Sequence, residues 1–194
     1  MNILHECEVI VLDCVDSTNN YIKERGIGEI PTVVIANQQT HGRGTQGRNF
    51  FSPPGSGLYM TIGFKPEFDL EHSLTVTRMA GVALRRVLSR FSCLPPLIKP
   101  INDIYIDGKK VAGILTEADT CGTGRISAIY VGIGVNCFKS SLPEDISGIA
   151  GYIEHPVRTF TIEELAEAVL NEFFELLENF DIKKIIEEYD SHTL

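Results

Sequence analysis

Asn37-Gln38-Gln39-Thr40-His41-Gly42-Arg43-Gly44-Thr45-Gln46-Gly47-Arg48-Asn49-Phe50-Phe51-Ser52-Pro53-Pro54-Gly55-Ser56-Gly57 lies between two strand-like runs, Val33-Val34-Ile35-Ala36 and Leu58-Tyr59-Met60-Thr61-Ile62-Gly63-Phe64. It spans about twenty residues without apolar periodicity, a length that in a compact domain is usually functional or disordered. Gly42, Gly44, Gly47, Gly55 and Gly57 let the backbone bend and approach a ligand closely. Arg43 and Arg48 sit among them in a chain of net charge −9. Freed backbone N–H groups and guanidinium forks suit a phosphate or a carboxylate. The other reading is a flexible surface loop with solvated arginines. The spacing is not that of a P-loop, because no Gly-Lys-Ser/Thr follows. It is not a dinucleotide fingerprint either, because a strand follows rather than a helix.

Working outward, the strand after the loop alternates. Leu58, Met60, Ile62 and Phe64 share one face, and Tyr59, Thr61 and Gly63 the other. Upstream, Val9-Ile10-Val11-Leu12 reads as a buried strand. It runs into Asp16-Ser17-Thr18-Asn19-Asn20 and a short helix, with Asp16 or Ser17 as N-cap. Hydroxyls, an amide and free N–H groups cluster there, suited either to a small polar ligand or to plain capping.

Downstream, Ser73 to Phe91 reads as a helix with Val76, Met79, Ala80, Ala83 and Val87 on one stripe. Arg85, Arg86 and Arg90 lie towards its C-terminal end and read as a solvated face. Pro95-Pro96 ends the element. Asp107-Gly108 then predicts a type I′ hairpin. Its register would pair Ile106 with Lys109, Tyr105 with Lys110 and Ile104 with Val111. Asp103, Tyr105, Lys110 and Ala112 would share one face, and Ile104, Ile106, Lys109 and Val111 the other. Lys110 and Asp103 become diagonal neighbours. They either converge on a ligand or form a surface ion pair.

Asp119 to Gly124 reads as a polar loop. Ile126 to Val135 reads as a strand in which Gly132 and Gly134 leave room for something to approach, with Asn136 where it stops. Lys139 to Tyr152 is irregular. Thr161-Ile162-Glu163-Glu164 is a capping box opening a helix to about Asn179, with Leu165, Val169, Phe173 and Leu177 inward. A last helix runs from Ile182 to about Tyr189.

A chain of 194 residues makes one domain with a proper core. Its 43% apolar and 22% charged residues are ordinary for a soluble globular protein. Net charge −9 argues against non-specific nucleic-acid binding. No apolar run approaches a membrane span, and no basic leader opens the chain. Cys7, Cys14, Cys93, Cys121 and Cys137 form no C-x-x-C pair and no ligand spacing with histidine. They read as reduced thiols of a cytoplasmic protein.

Together these stretches resemble the catalytic domain of biotin protein ligases. The family signatures are Ser-Thr-Asn after the first strand, a Gln-Thr-x-Gly-Arg-Gly-x-x-Gly-Arg loop, a Lys-Trp-x-Asn-Asp arm, a Lys-x-x-Gly-Ile-Leu arm and a Gly-Ile-Gly-x-Asn strand end. This chain has Ser17-Thr18-Asn19, Gln39 to Arg48, Lys99 to Asp103, Lys110 to Leu115 and Gly132 to Asn136, in that order. Each is weak alone; in order they make a specific match. The resemblance implies an α+β fold, a mixed β-sheet flanked by helices akin to class II aminoacyl-tRNA synthetase catalytic domains. It implies that biotin and MgATP give biotinyl-5′-AMP, whose acyl group passes to a lysine of a biotin carboxyl carrier protein.

The resemblance also assigns residues. Ser17, Thr18, Asn19, Gln39, Gly42, Arg43, Gly44, Thr45, Lys110 and Gly113 match the biotin side, with Arg43 and its neighbours at the carboxylate. Arg48, Phe50, Lys99, Asn102, Asp103 and Asn136 match the ATP side, Phe50 by stacking on adenine. Lys110, Arg43 and Asp103 would be catalytic, with Asp103 meeting Mg²⁺ or the incoming lysine. Thr45 stands where the family often has arginine, which implies a leakier adenylate. Pro100 replaces the usual tryptophan, which removes a backbone donor. The chain is expected to be one catalytic domain over residues 1–194 with no DNA-binding domain before it, and, as a third departure from the family, without the small β-barrel domain into which the family normally continues. Charge and the lack of an apolar span lead to the expectation of no nucleic-acid or membrane partner, and a homodimer stays open. A lipoate ligase or octanoyltransferase on the same fold, or a binder without turnover, is the alternative.

Overall fold

The computed structural model describes residues 1–66, 72–122, 125–140, 142–153 and 159–194. Within them, strands β1 (Glu8–Val15), β2 (Thr32–Gln39), β3 (Gly57–Phe64), β4 (Leu97–Lys99), β5 (Asp103–Ile106), β6 (Lys109–Thr120) and β7 (Ile126–Asn136) form a seven-stranded sheet in the order β1-β2-β3-β7-β6-β5-β4. β1 and β2 pair in parallel and the other neighbours antiparallel, so the sheet is mixed, as expected. The helices are α1 (Thr18–Arg25), α2 (Ser73–Phe91), α3 (Glu144–Ser147), α4 (Ile162–Glu178) and α5 (Ile182–Ser191).

Strand alternation sorts the helices onto two faces. Val33 and Ile35 of β2, with Leu58, Met60, Ile62 and Phe64 of β3, pack in one core with α2 and α4. The α2 stripe of Val76, Met79, Ala80, Ala83 and Val87 enters that core whole, as do Leu165, Val169 and Phe173 of α4. Leu177 packs against it only partly buried. Burying each such large side chain contributes about 1.5–3 kcal/mol. Val34 points the other way and meets Ile22 of α1, Ala128 and Tyr130. The α4 capping box forms: Glu164 N donates to Thr161 Oγ1 at 3.1 Å, and Thr161 N to Glu164 Oε2 at 2.7 Å.

Arg86 is not the solvated residue its place on α2 suggests. Its guanidinium pairs with Glu172 of α4 at 3.0 Å and with Glu188 of α5. Arg90 reaches Glu172 at 3.1 Å. These carboxylates arrive 82 to 102 residues later in the chain, so the helix pattern does not reveal them.

The hairpin turn is type I′ in character, with Asp107 at φ 50° and Gly108 at φ 71°. Ile106 pairs with Lys109 and Tyr105 with Lys110, as expected. The register then shifts, and Ile104 faces Ala112 rather than Val111. Val111 is the extra residue of a bulge. Ala112 therefore joins Ile104 in the core, and Gly113 stands opposite Asp103.

β6 continues through Asp119 and Thr120, where a loop was expected, because Asp119 and Thr120 pair with Ala128 and Ile126 of β7. Tyr130 also donates to Asp119 Oδ2 at 2.8 Å. Of the rest of that loop, positions 123 and 124 lie outside the described residues. The stretch expected to be irregular contains α3, started by Pro143 with Glu144 and Asp145 in its first turn. After α3, residues 149–151 lie along β6: Lys110 N donates to Ile149 O and Gly151 N to Lys110 O, both at 2.8 Å. Position 141 of that stretch lies outside the described residues.

Candidate active site

The site begins where β1 turns into α1. Ser17 takes the N-cap position with extended backbone, but its side chain makes no capping hydrogen bond. Gln39 fills in from the end of β2, its Oε1 accepting from Thr18 N at 2.9 Å. Ser17, Thr18 and Asn19 are buried. Thr61 of β3 reaches them; its hydroxyl donates to Asn19 Oδ1 at 2.6 Å and lies 2.8 Å from Thr18 Oγ1. The space beside Gly132 and Gly134 is taken. A Cβ on Gly132 would lie 2.2 Å from Asn19 Oδ1, and one on Gly134 2.5 Å from the Phe50 ring.

The glycine loop is a folded flap. Arg43 and Asn49 bridge across it, Gly44 N donates to Arg48 O at 2.7 Å, and Phe50 N donates to Gly42 O at 2.8 Å. Thr45–Gly47 makes a 3₁₀ turn at the tip. Gln39 Nε2 donates to Ser52 Oγ at 2.9 Å and ties the stem to β2. Arg48 curls back on the tip, with Nη2 3.3 Å from Thr45 Oγ1. Arg43 extends to the sheet, donating from Nη1 and Nη2 to the two oxygens of Glu117, each at 2.9 Å. Burial would push the Glu117 carboxyl up, but hydrogen bonds from Asn19 and Arg43 and the charge of Lys23 outweigh it. They hold the group below its usual range.

On the far side, Lys110 Nζ lies 2.7 Å from Asp103 Oδ1. Lys99 Nζ sits 3.3 Å from Tyr105 Oη and 4.9 Å from the centre of its ring. Asn102 is pinned to β6, its Nδ2 donating to Ile114 O at 2.7 Å and its carbonyl accepting from Ile114 N at 2.8 Å. Asn136 Nδ2 donates to Gly151 O at 3.1 Å.

Two adjoining cavities result. Ser17, Thr18, Asn19, Gln39, Arg43 and Gly132 line the first. Arg48, Phe51, Lys99, Asp103, Tyr105 and Asn136 line the second, of ≈ 320 Å³. Gly44, Thr45, Phe50 and Lys110 line both and form the wall between them. Asn102 and Gly113 border the first cavity, and Gly42 lines neither, packing closely against Phe50 O and Ser52 Oγ. Among the described residues no cluster of three or more His, Cys, Asp or Glu is arranged to hold a metal ion.

Sequence reasoning missed Glu117, Thr61 and the Ile149–Gly151 strap. Strand alternation puts Glu117 on the face of Gly113 and Leu115, and Thr61 between Tyr59 and Gly63, so a signal existed for both. The strap has no periodic signal.

The model of the biotin/lipoate A/B protein ligase family matches residues 11–136. The bifunctional ligase/repressor BirA of Salmonella typhimurium is 34% identical over 140 residues, covering 71% of this chain and 43% of BirA. The chain thus spans less than half the length of the curated relatives it matches. The structure of biotin protein ligase from Aquifex aeolicus in complex with biotin and ATP is similar at a TM-score of 0.83 and 30% identity, over 96% of this chain and 78% of that one. The Leishmania major biotin protein ligase in complex with biotinyl-5-AMP is similar at 0.80 and 25% identity, over 96% of this chain and 81% of that one. A family match across most of the chain, on a fold shared over nearly all of it, makes this chain a member of the biotin/lipoate A/B protein ligase family, with a biotin protein ligase catalytic domain.

Proposed function

We propose that this chain activates biotin with ATP to biotinyl-5′-AMP and passes the biotinyl group to a lysine of a biotin carboxyl carrier protein. The observation that carries this reading is the shared wall: Lys110 borders both cavities and is aimed by Asp103 at 2.7 Å. Joining a carboxylate to the α-phosphate brings two anions together, so a fixed cation between them is what the step needs. Biotin takes the first cavity, whose ≈ 40 Å³ must widen as the flap moves to admit it, and the nucleotide takes the second. The carboxylate oxygen attacks the α-phosphorus and pyrophosphate leaves. The incoming lysine amine then attacks the acyl carbon and AMP leaves. Arg48 and Lys99 face the phosphates, Phe50 and Asn136 the nucleoside. Asp103 would be the carboxylate that helps hold an Mg²⁺ carried by the ATP phosphates, where such an ion would offset their charge.

The polar end of the first cavity favours biotin over lipoate. Buried Ser17, Thr18 and Asn19, with half-buried Gln39, line that end with donors and acceptors. A cyclic urea can exchange hydrogen bonds with such groups, whereas a dithiolane offers them no donor and only weak sulfur acceptors. Among the described residues no helix is long and apolar enough to cross a membrane. Cys7, Cys14, Cys93 and Cys137 are free thiols, which supports a cytoplasmic enzyme.

The test is biotin-dependent exchange of labelled pyrophosphate into ATP, with lipoate as competitor. Exchange driven by biotin and not by lipoate is the expected result. Biotin binding without exchange would make the chain a binder.

A further inference from the structure

Glu117 sits along β6 on the face that carries Gly113, with its side chain 18% exposed. Its Oε2 accepts from Asn19 Nδ2 at 3.0 Å and Arg43 Nη1 at 2.9 Å. Its Oε1 accepts from Arg43 Nη2 at 2.9 Å and Lys23 Nζ at 3.2 Å. Arg43 Nη1 also donates to Asn20 Oδ1 at 2.9 Å. One carboxylate therefore joins the flap, the start of α1 and the sheet. By drawing the amide nitrogen of Asn19 to itself, it leaves the amide oxygen directed at Thr61. The guanidinium fork of Arg43 is matched to this internal carboxylate, the bidentate geometry that gives such pairs their strength.

We propose that Glu117 is a positioning residue: with Arg43 it forms an ion-paired latch that holds the glycine flap over the first cavity. Arg43 then acts on flap closure rather than on the carboxylate of the bound acid. This rests on the reading of the first cavity as the biotin site. A direct bond from Arg43 to a substrate carboxylate would require breaking the bidentate pair with Glu117. The two roles predict opposite effects of removing Glu117. A latch loses biotin faster without it, whereas a competing internal anion would leave biotin bound more tightly.

The experiment measures biotin release by displacement, together with biotin-dependent pyrophosphate exchange, in the intact chain and in Glu117→Gln, Arg43→Met and the double variant. Each single change should speed release about tenfold, the loss of one charge-assisted pair. The double variant should be no faster than the faster of the two single ones, because the Arg43–Glu117 pair is lost in all three. KM for biotin should rise more than kcat falls. Biotinol, which lacks the carboxylate, should show the same fold-changes. Tighter biotin binding in Glu117→Gln, additive losses, or an Arg43→Met effect confined to biotin would overturn the latch. Should Glu117→Gln not fold, Arg43→Met on the exposed flap decides the matter by its biotin and biotinol comparison. An intact chain that neither binds biotin nor exchanges pyrophosphate would overturn the reading of the cavity, and the latch with it. An intact chain that does both, with unchanged release in the variants, would overturn the latch alone.

Discussion

Lys110 and Asp103 meet at 2.7 Å across a hairpin whose register slips at Val111. The slip puts Gly113, which has no side chain to crowd the ammonium, opposite Asp103. A methyl there would stand 3.1 Å from Lys110 Nζ. Lys110→Ala should therefore lower biotin-dependent pyrophosphate exchange by about a hundredfold or more, the usual loss of one preorganised charge-stabilising group. Asp103→Asn keeps the cation and loosens its aim, so it should cost less. Equal losses in both variants would argue against Lys110 as the stabilising charge.

Gly132→Ala tests how tightly the first cavity is built. The added methyl collides with Asn19 Oδ1 on a helix start that Thr18, Gln39 and Thr61 already hold. Stability should fall by about 1–3 kcal/mol, as in other overpacked interiors. Biotin affinity should fall with it, because Asn19 must turn. Thermal melts with and without biotin would show both, and an unchanged biotin-induced rise in Tm would contradict the second claim.

Thr45 lines both cavities at the tip of the flap, where the resemblance places arginine. The intact chain should release biotinyl-5′-AMP and label bystander lysines. Thr45→Arg should restrict labelling to the carrier by adding a cation beside the α-phosphate. Mass spectrometry of a mixture of carrier and unrelated protein would read this out. Strict carrier-only labelling by the intact chain would end the idea.

Alkaline pH should weaken the fold. Burial pushes the Cys137 thiol from 9.0 to about 12 and the Tyr59 hydroxyl from 10.0 to about 12. Burial and the bond to Asp119 push Tyr130 to about 12. The folded state keeps protons that the unfolded chain releases. This stability is therefore fully present below pH 9.0 and lost as pH rises towards about 12. Denaturant midpoints should fall over that window, and Tyr130→Phe should flatten the fall. A midpoint rising with pH there would contradict the assignment.

Elements with a local cause were legible in advance. The α2 stripe, the α4 capping box and the Asp107-Gly108 turn each depend on residues a few positions apart, and each formed as read. The pairs around Lys110 were legible up to the turn, but the bulge was not, because core packing of Ile104, Val111 and Ala112 sets it. Most of the candidate site residues gathered at the two cavities, since strand alternation and loop glycines place them whatever the partners are.

Partner choice was the part left to the tertiary structure. An arginine shows in the sequence as a charge, but not whose carboxylate it will face. Arg43 met Glu117 74 residues away, and Arg86 met Glu172 86 residues away. Periodicity decides which way a side chain points, through the fixed geometry of helix and strand. What waits for it there depends on how distant segments pack, and for Arg43 that packing supplied a partner within the protein.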